Sequence, residues 1–88
     1  MNWTVYILKC NDKSYYVGCT RNLEDRMRRH EMGYISYTAN RLPFELETFV
    51  TFTNKYKAYN FERYLKTGSG IAFMRKRLIE VDILEDRC

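Results

Sequence analysis

The sequence has few of the residues from which membrane spans, zinc sites or disulfide frameworks are built. No apolar run approaches the roughly 18–20 residues that a transmembrane helix requires. His30 is the single histidine, and the three cysteines, Cys10, Cys19 and Cys88, are odd in number and lack metal-ligand spacing. We therefore expect reduced thiols, no zinc site, no membrane contact and a cytoplasmic location.

Glycine and proline are also scarce, with four glycines and one proline in 88 residues. No repeat, low-complexity stretch or linker divides the chain. A chain of this length can form one small core, burying roughly 60–65% of its unfolded surface. We predict one domain over residues 1–80, followed by an acidic tail over residues 81–88.

Aromatic residues and positive charge are abundant. Aromatic residues make up 16% of the chain, and the formal net charge is +4. The charge is uneven, because residues 55–77 contain seven basic residues against Glu62 alone, whereas residues 80–87 are acidic. Exposed tyrosine beside positive charge favours a nucleic acid partner, although a solvated basic helix face would give the same pattern.

The first third of the chain predicts a hairpin and a helix. The segments WTVYILKC at 3–10 and YYVGCT at 15–20 are rich in β-branched and aromatic residues, and a turn-forming cluster at 11–14 separates them. Asn22 is a predicted N-cap, and Gly33 is the predicted end of the helix that follows.

The rest of the chain predicts one more strand and two helices. Residues 33–44 are predicted to be an irregular connection, and the alternating segment at 45–53 a third strand. Asn54 should cap a second helix, and GSG at 68–70 should break the chain before a short third helix. The fold class is therefore α+β, a small three-stranded antiparallel sheet flanked by helices in the order β-β-α-β-α-α. The residues predicted to share one strand face are Leu46, Thr48, Val50 and Phe52, and those predicted to face inward from the third helix are Ile71, Met74 and Leu78.

Tyr6 and Tyr16 stand at the centre of two similar segments of the predicted hairpin. An odd number of residues in the turn would place both tyrosines on one face of the sheet, and an even number would separate them. Tyrosines on a hairpin are most often core or rim residues. The pair by itself therefore does not establish chemistry.

Three further polar residues are candidates for a site. Arg26 and His30 are four residues apart on the first predicted helix, so they point to one side, as the polar stripe of a surface helix also would. Glu62 precedes Lys66 by one helical turn, which is a common solvent-facing arrangement. A lone carboxylate in a basic groove also suits Mg²⁺, an ion bound through one or two carboxylates, water and phosphate.

In this order and at this spacing, these residues resemble the GIY-YIG endonucleases. The resemblance covers residues 3 to about 79 and looks most like the short, single-domain bacterial, UPF0213-like members. In those members a glutamate, a lysine one turn later and a GSG break recur together. The matching segments are TVY at 4–6, YVG at 16–18, TRNLEDRMRRH at 20–30 and NFERYLKTGSGIAFMRKRL at 60–78.

The resemblance implies hydrolysis of a phosphodiester bond by one divalent metal, Mg²⁺ or Mn²⁺. If the family's residue roles apply at the matching positions, Glu62 would hold the metal, which would stabilise the leaving 3′ oxygen. Tyr6 would help to deprotonate the attacking water, and Tyr16 would orient the water or the phosphate. Arg26 would bind the phosphate charge, and His30 would hydrogen-bond a tyrosine hydroxyl or stand near the water.

The implied partner is DNA, although the residues do not distinguish DNA from RNA. A chain this small leaves no room for a separate targeting domain, so we expect low sequence specificity, selection by DNA structure, or a partner protein that supplies specificity. The oligomeric state is not predicted. The residues expected to contact nucleic acid are Arg21, Arg29, Arg63, Lys66, Arg75 and Lys76.

The chain also departs from the family pattern. Thr4 replaces the glycine of the first motif, Cys19 follows the second motif, and residues 67–74 lack the asparagine that larger members carry beyond the glutamate. The missing asparagine motivates a second hypothesis, a catalytically weak or inactive nucleic-acid-binding module of the same fold. A third hypothesis, a protein-interaction domain with a tyrosine-rich surface, explains fewer of the residues.

Overall fold

The computed structural model describes residues 2–80, so the predicted acidic tail and Cys88 lie outside the described residues. The order β-β-α-β-α-α is confirmed, with one additional short helix in the connection that was predicted to be irregular. Among residues 2–80, no helix has both the length and the apolar character needed to cross a membrane. The elements are β1 (Trp3–Cys10), β2 (Tyr15–Thr20), α1 (Leu23–Glu31), α2 (Ser36–Ala39), β3 (Phe44–Phe52), α3 (Lys55–Tyr64) and α4 (Gly68–Arg77).

The three strands form an antiparallel sheet in the order β2-β1-β3. In the hairpin turn, the Cys10 N–H donates to the Ser14 carbonyl at 2.8 Å and the Lys13 N–H donates to the Cys10 carbonyl at 2.9 Å. Cys10 and Ser14 therefore enclose a loop of three residues, 11–13, which is an odd number. Tyr6 and Tyr16 therefore lie on the same face of the sheet, with Tyr6 opposite Gly18 and Tyr16 opposite Leu8.

A bulge in β3 makes one of the predictions wrong. Ile7 pairs with Thr48, but the next residue, Leu8, pairs with Leu46, so Glu47 is left out of the register. Leu46 consequently lies on the opposite face from Thr48, Val50 and Phe52, and 38% of its surface is exposed. The prediction assumed strict alternation of side chains along β3. One extra residue in the strand moves every side chain beyond it to the opposite face of the sheet.

The two faces of the sheet have different roles. One face packs against α3 and α4 and forms the apolar core, whose buried members are Val5, Ile7, Val17, Ala58, Leu65 and Met74. Because side chains alternate along a strand, Tyr6, Leu8 and Tyr16 point to the other face, where Tyr6 meets α1. The site residues of the hairpin are therefore separated from the core by the sheet.

Side-chain caps fix where the helices begin. The Asn22 side chain accepts from the Asp25 N–H, and the Asn54 side chain accepts from the N–H groups of Tyr56 and Lys57, as predicted. Thr67 caps α4 by accepting from the N–H of Gly70.

The GSG stretch forms the first turn of α4, so the prediction of a break before that helix is wrong. A Cβ at Gly70 would collide with the Tyr64 carbonyl group, which shows how closely α4 approaches the end of α3. Met74 is buried as predicted, but Ile71 is 43% exposed and does not face the core.

Candidate active site

A buried pair, Tyr6 and His30, forms the centre of the site. The Tyr6 hydroxyl lies 2.9 Å from His30 Nε2, and both residues are fully enclosed, with 0% of their surface exposed. Arg26 Nη1 donates to the same hydroxyl oxygen at 3.4 Å. The i, i+4 spacing on α1 therefore places Arg26 and His30 on one side, as the sequence predicts, and that side faces the sheet.

Tyr16 joins this group from the neighbouring strand. Its ring centroid lies 6.1 Å from that of Tyr6 and 5.1 Å from that of His30. Tyr16 is half-buried and partly accessible to solvent, whereas Tyr6 is not accessible. The structure thus brings together four of the five residues expected to form the catalytic set.

The connection after α1 supplies residues that the sequence did not single out. His30 Nδ1 lies 2.6 Å from the hydroxyl oxygen of Thr38, a fully buried residue of α2. Tyr37 packs against Tyr16 with ring centroids 5.4 Å apart, and the Arg41 guanidinium lies 4.1 Å from the Tyr37 ring centroid. No local pattern marks these residues, because they reach the site only after the chain turns back at Gly33, which has a positive φ of 79°.

Burial controls the protonation of the central pair. Burial raises the pKa of Tyr6 to about 12, against the opposing effect of the hydrogen bond from Arg26. Burial, and then the charge of Arg26, lower the pKa of His30 to about 4. In the protein without metal, desolvation outweighs the effect of Arg26, so the surroundings of Tyr6 favour the neutral phenol. At neutral pH the pair is a phenol and a neutral imidazole.

Glu62 approaches the site from the other face of the sheet. Its Oε2 lies 3.1 Å from Lys66 Nζ, and 22% of its side chain is exposed. Burial raises the pKa of the Cys19 thiol, the Glu62 carboxylate raises it further, and Arg26 lowers it. Glu62 and Arg26 therefore both act on Cys19, on the edge strand β2. Within residues 2–80, no direct hydrogen bond joins Glu62 to the two tyrosines.

The donor set available for a metal is one carboxylate. In the part of the chain that the structure describes, no group of three His, Cys, Asp or Glu residues is placed to hold an ion. Such a set does not suit zinc, which takes three or four protein ligands, but it fits Mg²⁺ or Mn²⁺ completed by water and phosphate oxygens. Glu62 could hold such an ion only by sharing or releasing its contact with Lys66.

The six basic residues expected to contact nucleic acid are all exposed. Lys66 and Arg75 line a groove of about 480 Å³ that also contains Tyr16 and Tyr37. Arg21 lies beside the Trp3 ring, with its Cζ 5.6 Å from the ring centroid. The groove is therefore lined by the half-buried tyrosine of the site, by two cationic side chains and by apolar residues that include Val17 and Ile71.

Comparisons with known proteins indicate one family. Residues 2–72 match the family model described as the GIY-YIG catalytic domain. The chain is 48% identical over 67 residues to a UPF0213 protein of Clostridium perfringens, which covers 75% of this chain and 71% of that protein. It is 37% identical over 83 residues to the UPF0213 protein YsiG of Lactococcus lactis, with 93% and 79% of the two chains covered.

A solved structure gives a similar result. The solution NMR structure of a UPF0213 protein from Bacillus halodurans superimposes with a TM-score of 0.57 at 33% sequence identity. The match covers 86% of this chain and 84% of the other. The three-stranded sheet and its helices are thus shared with a protein of related sequence.

Proposed function

The chain belongs to the GIY-YIG family, and from this membership we propose that it is a metal-dependent endonuclease that hydrolyses phosphodiester bonds of DNA. The observation that supports this most is the convergence of Tyr6, Tyr16, Arg26 and His30 on one face of the sheet. These residues come from two strands and a helix, and they are the residues that the resemblance to the family motifs singles out. A solvated polar stripe would not be enclosed in this way.

In the proposed mechanism each side chain acts on water or phosphate. Tyr16 is half-buried and orients the attacking water, which enters beside it because Tyr6 is enclosed. Tyr6 helps to remove the proton from that water. Arg26 uses one N–H on the Tyr6 oxygen and keeps its other donors for the phosphate charge that grows in the transition state.

Glu62 is the proposed ligand of Mg²⁺ or Mn²⁺. When bound, the metal would supply Lewis-acid stabilisation of the phosphate and of the leaving 3′ oxygen. The position of Glu62 near Cys19, within electrostatic range of the thiol that Arg26 also reaches, supports this role. Lys66 would be released from its ion pair if Glu62 held the metal, and its ammonium group would then be available to a phosphate.

The exposed cations and the groove beside Tyr16 favour nucleic acid as the substrate class. We propose that they contact phosphate rather than base edges, which gives cleavage of low sequence specificity or cleavage directed by DNA structure. A partner protein could supply any further selection.

A second candidate function is a nucleic-acid-binding module with little or no turnover. Two observations favour it: the ion pair that holds Glu62 to Lys66, and the absence of asparagine from residues 67–74. Such a module would bind DNA in a salt-dependent way without producing cut strands.

Incubation of the purified protein with plasmid, branched and single-stranded DNA in Mg²⁺, Mn²⁺ or EDTA separates the two functions. The nuclease predicts metal-dependent products that disappear in the Glu62→Gln and Tyr6→Phe variants. Tyr56→Phe is a matched control, because Tyr56 is 68% exposed on α3. Tight binding with no product in either metal would instead establish the binding module.

A further inference from the structure

Thr38 is a buried polar residue to which neither the family motifs nor the proposed mechanism gives a role. Its hydroxyl oxygen lies 2.6 Å from His30 Nδ1 and 3.3 Å from the carbonyl oxygen of Ile35. Thr38, His30 and Tyr6 thus form a continuous line of hydrogen bonds from the backbone of the α2 connection to the tyrosine hydroxyl. All three residues are fully enclosed.

The acceptor at Ile35 favours one direction for these hydrogen bonds. A carbonyl oxygen can only accept, so the Thr38 hydroxyl donates its proton to Ile35. The Thr38 oxygen must then accept from His30, which places the imidazole proton on Nδ1. A neutral imidazole has one N–H, so Nε2 carries a lone pair and accepts from the Tyr6 hydroxyl.

The opposite tautomer would leave Tyr6 with two donors directed at its oxygen. Arg26 already donates to that oxygen, and an Nε2–H would donate to it as well. The proton of Tyr6 would then have to go to Tyr16, the other side chain with which its hydroxyl forms a hydrogen bond.

We infer that Thr38 is a positioning residue that holds His30 in the Nδ1–H tautomer, so that Nε2 can receive the proton of Tyr6 during hydrolysis. This inference rests on the proposed nuclease function. As the water oxygen forms its bond to phosphorus, a water proton goes to the Tyr6 oxygen and the original Tyr6 proton moves to Nε2. The bond from phosphorus to the 3′ oxygen breaks, and that oxygen takes a proton from solvent. The Nδ1–H bond to Thr38 is present before and after the transfer.

The proton acceptor explains how an enclosed phenol can take part in base catalysis. A buried phenolate is unfavourable here, because burial disfavours the charged form of Tyr6. If Tyr6 loses its proton to His30 as it gains another from water, it never has to exist as a free phenolate. The positive charge then forms on His30, where burial and the charge of Arg26 also disfavour it, so the transfer requires the negative charge of a bound phosphate.

The test compares Thr38→Val, which keeps the shape and removes the hydroxyl, with Thr38→Ser, which keeps the hydroxyl. His30 is the single histidine in the chain, so the ¹⁵N chemical shifts of an untagged sample report its tautomer directly. We expect Nδ1–H in the wild type and in Thr38→Ser, and a population of Nε2–H in Thr38→Val. In cleavage assays we expect kcat of Thr38→Val to fall about 10- to 100-fold with KM unchanged, and Thr38→Ser to restore it.

The outcomes separate failure of the inference from failure of the proposed function. An Nε2–H tautomer in the wild type would overturn the inference, and this measurement needs no variant that must fold. A folded Thr38→Val protein with unchanged kcat would also overturn it. A wild type that is inactive in every metal but shows Nδ1–H would refute the nuclease function, and with it the catalytic consequence, while leaving the tautomer assignment in place.

Discussion

The hydroxyl of Tyr6 occupies the space that a side chain at Gly18 would fill. The two residues are direct cross-strand partners in the β1–β2 ladder, and a Cβ built on Gly18 would overlap the Tyr6 hydroxyl and lie 2.9 Å from its Cε1. The glycine of the second motif therefore makes room for the tyrosine of the first. The two motifs form one structural unit, in which a missing side chain lets a phenol reach His30.

Replacing Gly18 with alanine should displace the Tyr6 ring from His30. We expect a loss of roughly 1–3 kcal/mol in the free energy of unfolding, from overpacking and a strained ring, together with loss of cleavage. Urea unfolding measures the first effect. Gly68→Ala is the matched control, since a Cβ there meets nothing within 4 Å, and it should be neutral or slightly stabilising. Equal unfolding midpoints for the two variants would contradict the packing described above.

The buried imidazole should make stability depend on pH. The pKa of His30 is about 4 in the folded protein, against about 6.5 when unfolded, so the unfolded chain binds the extra proton first. Stability is therefore fully present above pH 6.5 and falls as the pH drops toward 4, by up to roughly 3 kcal/mol. The groups that face the ring are Tyr6, Tyr16, Arg26, Thr38 and Phe44, and none of them is a carboxylate.

Denaturant titrations at several pH values between 7.5 and 4.5 measure this slope. His30→Gln keeps a polar side chain but removes the titrating group, so its stability should change little over the same range. A wild-type curve as flat as that of the variant would show that His30 is not held neutral by the fold.

The Tyr6 hydroxyl should matter for cleavage more than for folding. Tyr6→Phe keeps the ring over Gly18 but leaves His30 Nε2 without its donor, which we expect to cost about 1–3 kcal/mol of stability. Single-turnover cleavage should fall by about 100-fold or more, since the proton-transfer group is gone. Binding of uncleaved DNA, measured by fluorescence anisotropy, should stay within a few fold of wild type. A folded Tyr6→Phe protein that cuts at the wild-type rate would remove Tyr6 from the mechanism.

The fold and most of the site were predictable from the sequence because their signals are local. The strands, the Asn22 and Asn54 caps and the i, i+4 pair of Arg26 and His30 all depend on residues close together in the chain. The spacing typical of the family then indicated which polar residues belong to one site. The sequence left the parity of the hairpin turn open, and the loop of residues 11–13 decided it.

The features that sequence did not predict depend on contacts between distant segments. Thr38 meets His30 only after the chain reverses, and the β3 bulge at Glu47 is defined by pairing with β1. Desolvation of Tyr6 is likewise a property of the packed sheet, and composition near the residue does not reveal it. The GSG composition predicts an interruption of the helix, yet Thr67 is the N-cap of α4 and GSG forms its first turn, which lies against the end of α3.

The exposed cations should determine how DNA affinity responds to salt. Neutralising one side chain that binds a phosphate should reduce the slope of log affinity against log salt by about 0.9 for duplex DNA. We expect Arg63→Gln and Lys76→Gln each to lower the slope by roughly this amount. Lys13→Gln, at the tip of the hairpin turn, is the control and should leave the slope unchanged. If Arg63→Gln and Lys76→Gln give the same slope as Lys13→Gln and the wild type, the DNA binds to another surface.

Glu62 should determine metal dependence without determining DNA binding. Glu62→Gln removes the charge that Mg²⁺ needs, so cleavage should fall to background at all Mg²⁺ and Mn²⁺ concentrations. The same change removes the partner of Lys66 and a negative charge from a basic surface, so DNA affinity in EDTA should stay equal or rise. Glu45→Gln, an exposed carboxylate on β3, is the matched control and should keep both properties. If Glu62→Gln still cleaves DNA with the metal dependence of the wild type, the ion is held elsewhere, and the contact between Glu62 and Lys66 is only a surface ion pair.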